Sequence, residues 1–310
     1  MKSAAFAPAH ITGFFEIRDG FDDPLRRGSR GAGVCLAQGV ETEVETTDKA
    51  GRVNIFINGV PSSSSAIVSK MVAARLLELS RSSGLSIQHK IRVPIASGFG
   101  TSGAAAIGIA LAGSEALGLG LSQLEAFQLA HAVEVELKTG LGTVAGEYCG
   151  GLEVRSKEGA PGYGEAFKVR LNGSYSVVAL HNGPLETSKF LSDPEYRKKI
   201  NSIGKTFSDL MVRNPNLETF LRLTGEFSEA INLGNNHLRS VMKAAKEHGY
   251  TFGMAMFGQT VFTIVKENEA FEVASLIRKF SNEWGHIINS PVDPHGARLL
   301  IESPFLVSRY

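Results

Sequence analysis

The sequence is poor in cysteine, and this scarcity excludes two classes of protein. Its 310 residues include two cysteines, Cys35 and Cys149. Two are too few for a disulfide scaffold, and their separation is not that of a paired metal-binding motif. We therefore expect both to be small buried apolar residues in a protein of the reducing cytoplasm.

Strong net charge and long apolar runs are also missing. The 32 basic and 31 acidic residues leave a net charge of +1, so the composition does not favour nucleic acid or an anionic membrane as a partner. The longest uncharged apolar run, residues 103–113, is much too short to cross a bilayer. Apolar residues at 43% and charged residues at 20% indicate a soluble globular protein. Its length is enough for two domains. The N-terminal residues do not have the pattern of a signal peptide.

A stretch rich in glycine and hydroxyl groups, residues 94–105, joins a predicted strand to a predicted helix. Residues 86–93 alternate with period two, and the residues from Ala104 onward are apolar on nearly every side, which predicts a buried helix. Glycines let a ligand approach the main chain, and the first amides of a helix lack internal partners. The stretch therefore predicts an anion site, most naturally for phosphates. The alternative is a tight turn that only packs.

The rest of the chain predicts an α+β protein with two domains, residues 1–168 and 169–310. The order of elements in the second part is β-α-β-β-α-β, a ferredoxin-like arrangement. Its tight hairpin at Gly258-Gln259 requires a positive φ at the first turn residue. The predicted strands are 4–9, 40–46, 53–57, 86–93, 176–181, two flanking 258–259, and 297–302; the predicted helices are 66–80, one from 104, 123–138, several between 193 and 248, and 268–284; residues 18–33 are predicted to be loop-like.

Two side chains are candidates for holding a magnesium ion. Ser102 opens the helix beside the predicted phosphate site, and Mg²⁺ prefers oxygen ligands; alternatively, Ser102 caps its own helix. Glu134 falls on an apolar side of the helix at 123–138, where a carboxylate is costly unless it meets a cation or hydrogen-bond donors. A basic side chain paired with Glu134 is the alternative. Glu136 falls on a polar side, which predicts a solvent-facing or structural role.

Three motifs in order along the chain resemble those of the GHMP kinases. Residues 94–103, Pro-Ile-Ala-Ser-Gly-Phe-Gly-Thr-Ser-Gly, match the second motif of that family, Pro-x-x-x-Gly-Leu-Gly-Ser-Ser-Ala. They lack the lysine of a Walker A loop and the spacing of a dinucleotide fingerprint. Pro8-Ala9-His10 stands where the family has Pro-Gly-Arg/Lys, and residues 253–262 correspond to its third, glycine-rich motif. Within the family the chain is most similar to the archaeal pantoate kinases, in residues 7–15, 27–33, 98–103, 138–142 and 256–262.

This resemblance implies a fold and an activity. The fold would combine an N-terminal domain like domain 2 of ribosomal protein S5 with a ferredoxin-like C-terminal domain. The activity would be transfer of the γ-phosphate of ATP, with Mg²⁺, to the primary hydroxyl of pantoate, giving 4-phosphopantoate for coenzyme A biosynthesis. Relatives are often dimers, which makes a homodimer one expectation. A kinase for another small alcohol (homoserine, mevalonate or a sugar) and a catalytically dead nucleotide-binding regulator stay open as alternatives.

The resemblance also assigns roles to particular residues. Ser102 and Glu134 would hold the magnesium ion. His10 stands at the cationic position of the first motif, where it would hydrogen-bond or, when charged, steady a phosphate or a substrate carboxylate; a buried turn histidine is the alternative. The residues that would bind ATP are Pro94, Ser97, Gly98, Phe99, Gly100, Thr101, Ser102, Gly103 and Ala104.

Thr143 is the main departure from the family pattern, because many members carry an aspartate there as general base. A threonine is no base near neutral pH, but positioning and charge stabilisation carry most of the catalysis in phosphoryl transfer. Thr143 would therefore hydrogen-bond the acceptor hydroxyl or the γ-phosphate, or would only cap a turn. Glu147 lies too far along the chain for a role to be assigned.

The substrate itself would meet a further set of residues. Arg30 is a candidate because its guanidinium can grip a carboxylate at two points, although a solvated loop arginine is as compatible with the pattern. Phe14 or Phe15 would pack on the gem-dimethyl group of pantoate. His10, Thr12 and Gly258 complete the predicted substrate set.

Overall fold

The computed structural model describes residues 1–80, 84–183, 193–231, 235–256 and 258–300. Within these ranges the chain forms an eight-stranded sheet and a four-stranded sheet with helices packed on both. No helix in the described ranges is long and apolar enough to cross a membrane. The strands are β1 (Lys2–Arg18), β2 (Gly28–Thr47), β3 (Val53–Ile57), β4 (Val60–Pro61), β5 (Gly84–Ile91), β6 (Leu152–Lys157), β7 (Glu165–Val169), β8 (Tyr175–His181), β9 (Gly253–Met254), β10 (Thr260–Lys266), β11 (His286–Pro291) and β12 (Arg298–Leu300). The helices are α1 (Ile67–Ser80), α2 (Thr101–Leu117), α3 (Gln123–Glu136), α4 (Thr143–Cys149), α5 (Pro194–Arg213), α6 (Leu217–Ile231), α7 (Asn236–Glu247) and α8 (Ala270–Phe280).

A long antiparallel hairpin, β1 with β2, forms the centre of the larger sheet. The sheet order is β12-β1-β2-β5-β3-β4, and β6 joins the first part of β2 and pairs in turn with β7. The predicted opening strand at residues 4–9 is too short, because the register shift between Pro8 and Ala9 lets β1 continue past the proline to Arg18. The predicted loop at 18–33 is correspondingly too long, since β2 begins at Gly28.

Helices α1, α2 and α3 pack together on one face of the larger sheet, and the glycine-rich stretch leads into α2. Helix α2 is the central one, and nearly all of its residues are buried, as its apolar composition predicts. Gly108 lets this helix approach β2 closely, because a Cβ at that position would collide with the Thr42 side chain. The predicted helices 66–80 and 123–138 are confirmed as α1 and α3, and a capping box at Ser122 and Glu125 starts α3.

The smaller sheet has the antiparallel order β11-β8-β10-β9. Helices α5 to α7 lie between β8 and β9, and α8 lies between β10 and β11, so the predicted ferredoxin-like order is confirmed. Its fourth strand was assigned wrongly to residues 297–302. The fourth strand is β11, and residues 298–300 form β12, which pairs with β1 at the edge of the larger sheet. Residues 301 and 302 lie outside the described ranges.

The two predicted domains, 1–168 and 169–310, stay a prediction. The limit between them falls inside β7, and β12 lies beyond it in sequence while pairing in the larger sheet. The polypeptide therefore enters the smaller sheet after β7 and returns from it before β12.

Candidate active site

A cleft opens where β1, the loop before α2 and the loop before α4 meet. The strand β1 contributes side chains from its middle, and the backbone N–H of His10 donates to the carbonyl of Phe99 in the loop, at 3.0 Å. This hydrogen bond attaches the loop to the strand. The residues that line the cleft are His10, Thr12, Phe15, Ser29, Ala96, Ser97, Gly98, Phe99, Gly100, Thr101, Ser102, Thr139, Gly140, Leu141, Gly142, Thr143 and Met256.

The loop before α2 has the conformation that a phosphate site requires. Gly98 and Gly100 have φ angles of 84° and 64°, in the left-handed region that favours glycine. Ala96 has a φ of 56°, which is strained for a residue with a Cβ. Gly100 is the N-cap of α2, and no side chain caps the helix, so its first amides are left for a ligand.

Six of the nine predicted ATP-binding residues line this cleft, from Ser97 to Ser102 without interruption. The other three, Pro94, Gly103 and Ala104, are not among its lining residues. Gly103 and Ala104 are buried inside the first turn of α2. The sequence motif therefore identifies the loop, but its outer positions serve the backbone of the loop and helix.

The connection between β9 and β10, two strands of the smaller sheet, packs against the phosphate loop. The hydroxyl of Thr260 donates to the carbonyl of Ser97 at 2.8 Å, and the amide of Met256 donates to the carbonyl of Thr12 at 3.1 Å. A Cβ on Gly258 would collide with the carbonyl of Ser97. The predicted tight hairpin at Gly258-Gln259 is wrong, since Met254 pairs with Val261 and the amide of Ala255 donates to the carbonyl of Thr260 at 2.8 Å, which leaves a longer connection than a two-residue turn. Gly258 is there because of the close approach.

Substituting this glycine tests whether the contact shapes the loop. Gly258→Ala is expected to weaken ATP binding at least about tenfold, because the new methyl group must push the Ser97 carbonyl away. The matched control is Gly20→Ala, where a Cβ meets nothing within 4 Å and φ is not left-handed. Isothermal titration of ATP into both variants is the measurement. Equal affinities in the two would show that the loop tolerates displacement at this contact.

The structure brings Ser102 and Glu134 together at one end of the cleft. The Ser102 hydroxyl donates to Oε2 of Glu134 at 3.2 Å, and the Thr139 hydroxyl donates to Oε1 at 2.8 Å. Glu134 is 2% exposed, and burial raises its pKa to about 7 despite these two hydroxyl donors. In the described part of the chain no basic side chain pairs with it. A buried carboxylate served only by hydroxyls fits a hard cation such as Mg²⁺, and it excludes the alternative of a basic partner among these residues.

His10 belongs to a buried cluster of charged side chains beside the cleft. Its Nε2 lies 2.9 Å from Oε1 of Glu153, and the same oxygen accepts from Nη1 of Arg155. All three side chains are at most 1% exposed. Burial lowers the pKa of His10, against the opposing effect of the Glu153 carboxylate. His10 is therefore neutral at pH 7. Because it lies in strand β1 and belongs to this buried cluster, it is not a turn histidine.

Arg155 has hydrogen-bonding capacity that the described residues do not use. Its Nε and Nη2 have no partner there, although a buried guanidinium requires partners. The guanidinium borders the cleft, because a Cβ on Gly142 would lie 2.7 Å from Nε and would collide with the Ser29 hydroxyl. The cluster thus presents a guanidinium with two unused donors next to two cleft-lining residues, which is suited to a ligand carboxylate.

Glu153 and Arg155 are not among the site residues predicted from the sequence. The signal is present, since both alternate with the apolar residues Leu152 and Val154, which places them on one face of a strand. What the alternation leaves out is which face meets the cleft. That depends on the pairing of β6 with β2, where Arg155 is opposite Gly31.

Thr143 lines the cleft as predicted, and a buried acid stands one helical turn behind it. Both carboxyl oxygens of Glu147 lack a partner among the described residues. They lie close to the loop glycines. A Cβ on Gly100 would be 3.0 Å from Oε1, and a Cβ on Gly103 would be 3.1 Å from Oε2. Burial, helped by the charge of Glu134, raises the pKa of Glu147 well above its ordinary value. Burial therefore favours the protonated form of this carboxyl group.

Glu147 should make stability depend on pH. Its pKa is higher in the folded than in the unfolded chain, so its contribution is complete below the unfolded pKa and is lost as pH rises toward the folded pKa. Glu147→Gln removes this loss. The stability of the variant relative to the unsubstituted protein should rise by about 1.4 kcal/mol per pH unit across that window. Urea unfolding between pH 5 and pH 8 without Mg²⁺ measures it, and a difference independent of pH would contradict the assignment.

Three predicted substrate residues, Phe14, Arg30 and Gly258, lie outside the cleft lining. Arg30 is held by Glu16 at 3.1 Å, by Asp209 at 2.5 Å and by the carbonyl of Ser156 at 2.9 Å. Phe14 is fully buried in an aromatic cluster whose other members are Phe207, Phe220 and Phe227. His10, Thr12 and Phe15 line the cleft, whereas Gly258 contacts the back of the phosphate loop. The structure thus separates one part of the predicted substrate set from the other.

Comparison with known proteins gives sequence relatives along almost the whole chain. Residues 66–151 match the GHMP kinases N terminal domain family. The chain is 33% identical to a pantoate kinase of Thermococcus kodakarensis over 281 residues, which are 89% of this chain and 92% of that protein. It is 31% identical to a pantoate kinase of Methanocaldococcus jannaschii over 275 residues, 88% of this chain and 96% of that protein.

A solved structure agrees with these relatives in fold. It is described as a phosphotransferase related to the CoA biosynthesis pathway, and it superposes with a TM-score of 0.87 at 30% identity. The match covers 97% of this chain and 99% of that one. The overall fold is therefore shared.

Proposed function

The chain belongs to the pantoate kinases within the GHMP kinase family, and from this premise we propose that it transfers the γ-phosphate of ATP to the primary hydroxyl of pantoate. The product is 4-phosphopantoate, an intermediate of coenzyme A biosynthesis. The observation that carries the proposal is the 33% identity to a pantoate kinase over 89% of the chain. The cleft supports it with a phosphate loop and a buried guanidinium that has two unused donors.

The phosphate loop and the pair Ser102 and Glu134 would serve the nucleotide. The open amides at the start of α2 suit the phosphates of ATP. The Ser102 hydroxyl and the Glu134 carboxylate would hold a magnesium ion beside them. When bound, such an ion neutralises charge on the phosphate oxygens during transfer. Ser102 and Glu134 are already hydrogen-bonded to each other, so binding the ion requires only that the serine turn its proton away.

The opposite side of the cleft would serve pantoate. The free Nε and Nη2 of Arg155 suit its carboxylate, and the Ser29 hydroxyl lies beside them. Phe15 and Met256 line the same cleft and offer apolar surface to the gem-dimethyl group. The primary hydroxyl would then point toward Thr143, His10 and the phosphate loop. This placement moves the carboxylate role from Arg30, which the sequence suggested, to Arg155.

The direct test is an assay with isotope-labelled ATP, Mg²⁺ and pantoate, in which the product is identified by mass. We expect transfer of one phosphoryl group to pantoate at a rate well above the rates with homoserine, mevalonate and galactose. Turnover of homoserine or mevalonate at or above the pantoate rate would overturn the substrate assignment. ATP binding without transfer to any of these alcohols would instead favour a nucleotide-binding regulator.

Three further predictions from the sequence concern assembly, location and partners. These are a homodimer, a location in the cytoplasm and the lack of a nucleic-acid partner. Size-exclusion chromatography with light scattering addresses the first of them.

A further inference from the structure

The imidazole of His10 is held in a single orientation by the backbone around it. A Cβ on Gly33 in β2 or on Gly146 in α4 would collide with Nε2 and with neighbouring ring carbons. Two glycines from different elements therefore enclose the Nε2 edge of the ring. A ring so enclosed cannot turn without moving β2 or α4.

The partner of Nε2 determines which nitrogen carries the proton. Oε1 of Glu153 is paired with the guanidinium of Arg155 and acts as an acceptor toward it. Nε2 must then be the donor in the 2.9 Å contact. Since neutral imidazole has one donor and one acceptor nitrogen, the lone pair is on Nδ1, at the edge of the ring away from Glu153.

Glu153 joins this imidazole to the cation at the cleft. A single carboxylate oxygen accepts from both His10 and Arg155, and Arg155 has two further donors without partners among the described residues. In the proposed function, on which this inference rests, those donors take the substrate carboxylate. A short hydroxy acid bound there by one end would extend along the cluster toward His10.

We propose that His10 accepts the proton of the substrate hydroxyl through Nδ1 and that Glu153 is the residue that positions it. In the step, the hydroxyl oxygen forms a bond to the γ-phosphorus, and the bond from that phosphorus to the bridging oxygen of ADP breaks with its electron pair on ADP. The hydroxyl proton goes to Nδ1, while the Nε2 proton stays on the hydrogen bond to Glu153. The carboxylate stabilises the imidazolium that forms, and the extra proton returns to solvent after product release.

This assignment gives the site a proton acceptor, which the residues nearest the phosphate loop do not provide. Thr143 has no basic group, and burial favours the protonated form of Glu147 behind it. His10 is neutral for the reason given above, so it is ready to accept a proton at pH 7. The charged and titratable groups that surround it are Glu153 and Arg155 on β6, Glu147 on α4 and Cys35 on β2.

The test uses His10→Gln, whose amide nitrogen can keep a donor toward Glu153 while the proton acceptor is lost. We expect kcat to fall about a hundredfold, with KM for ATP and pantoate changed less than about threefold. At saturating Mg²⁺, which keeps Glu134 ionised, the acid limb of the kcat/KM profile lies below pH 6.5 in the unsubstituted enzyme because burial lowers the His10 pKa, and in the variant this limb should disappear. Glu153→Gln should move this limb to lower pH, since the neutral amide no longer favours the imidazolium.

Three results decide between acceptance and rejection. Loss of kcat together with loss of the acid limb, at unchanged thermal stability and ATP affinity, would support the role. A kcat within about threefold of the unsubstituted enzyme, or a large loss with the acid limb still in place, would overturn it. Because all variants are compared with an enzyme first shown to phosphorylate pantoate, failure of the proposed function is seen separately, in that first assay. If His10→Gln does not fold, His10→Ala with added imidazole replaces it, and a rate that does not rise with the free base counts against the role.

Discussion

Glu134→Gln is expected to lower kcat about a thousandfold, roughly 4 kcal/mol of transition-state stabilisation. The carboxylate is buried with hydroxyl donors only, and an amide of the same shape cannot balance the charge of a divalent cation between it and the phosphates. The fold should survive, since one hydroxyl can donate to the amide oxygen of glutamine and the other can rotate to accept from its amide nitrogen. The measurement is the steady-state rate at rising Mg²⁺ concentration. We expect the variant to require a higher Mg²⁺ concentration than the unsubstituted protein.

A second glutamate on the same helix provides the matched control. Glu136 pairs with Arg75 at the surface, away from the cleft. Glu136→Gln should leave kcat and the Mg²⁺ requirement unchanged. If Glu134→Gln retains a tenth or more of the activity, Glu134 does not hold the metal, and its contacts with Ser102 and Thr139 serve the loop alone.

Arg155→Gln is expected to reduce kcat/KM for pantoate about a thousandfold, mostly through a higher KM. The guanidinium offers two unused donors beside the cleft, and a desolvated charge pair with a carboxylate is worth several kcal/mol when one partner is removed. KM for ATP should change little, because the phosphate loop is on the other side of the cleft. Initial rates with each substrate varied in turn separate the two effects.

Arg30→Gln is the contrasting variant, since Arg30 is the arginine that the sequence favours for the carboxylate. Its guanidinium is already engaged by Glu16 and Asp209, so KM for pantoate should stay as it is. A large rise in KM with Arg30→Gln and none with Arg155→Gln would reverse the placement of the substrate.

The sequence identifies the nucleotide side of the site better than the alcohol side. A glycine pattern and a buried glutamate are local signals, because backbone conformation and helical periodicity act over a few residues. They lead to the phosphate loop and to the pair Ser102 and Glu134, whose hydroxyl and carboxylate are 3.2 Å apart. Arg155 was missed because its position depends on which strand β6 pairs with, and that pairing joins residues far apart in the chain.

The same distinction applies to the fold. The strands and helices were predicted from periodicity, and the α+β class with its ferredoxin-like part is confirmed. The length of β1 was underestimated because a proline usually stops a strand, whereas here a register shift accommodates it. The fourth strand of the smaller sheet was misplaced because residues 286–291 and 298–300 are both short strands, and only their partners in space distinguish them.

The pairing of β12 with β1 has a consequence for how the molecule is made. Residues 4–6 of β1 pair with residues 298–300, which are synthesised long after them. Until then β1 has an unprotected edge, able to join a strand of a neighbouring nascent chain. Stop codons placed just before residue 298 should therefore yield polypeptide that collects in the insoluble fraction, even though every side chain of the cleft has already been translated.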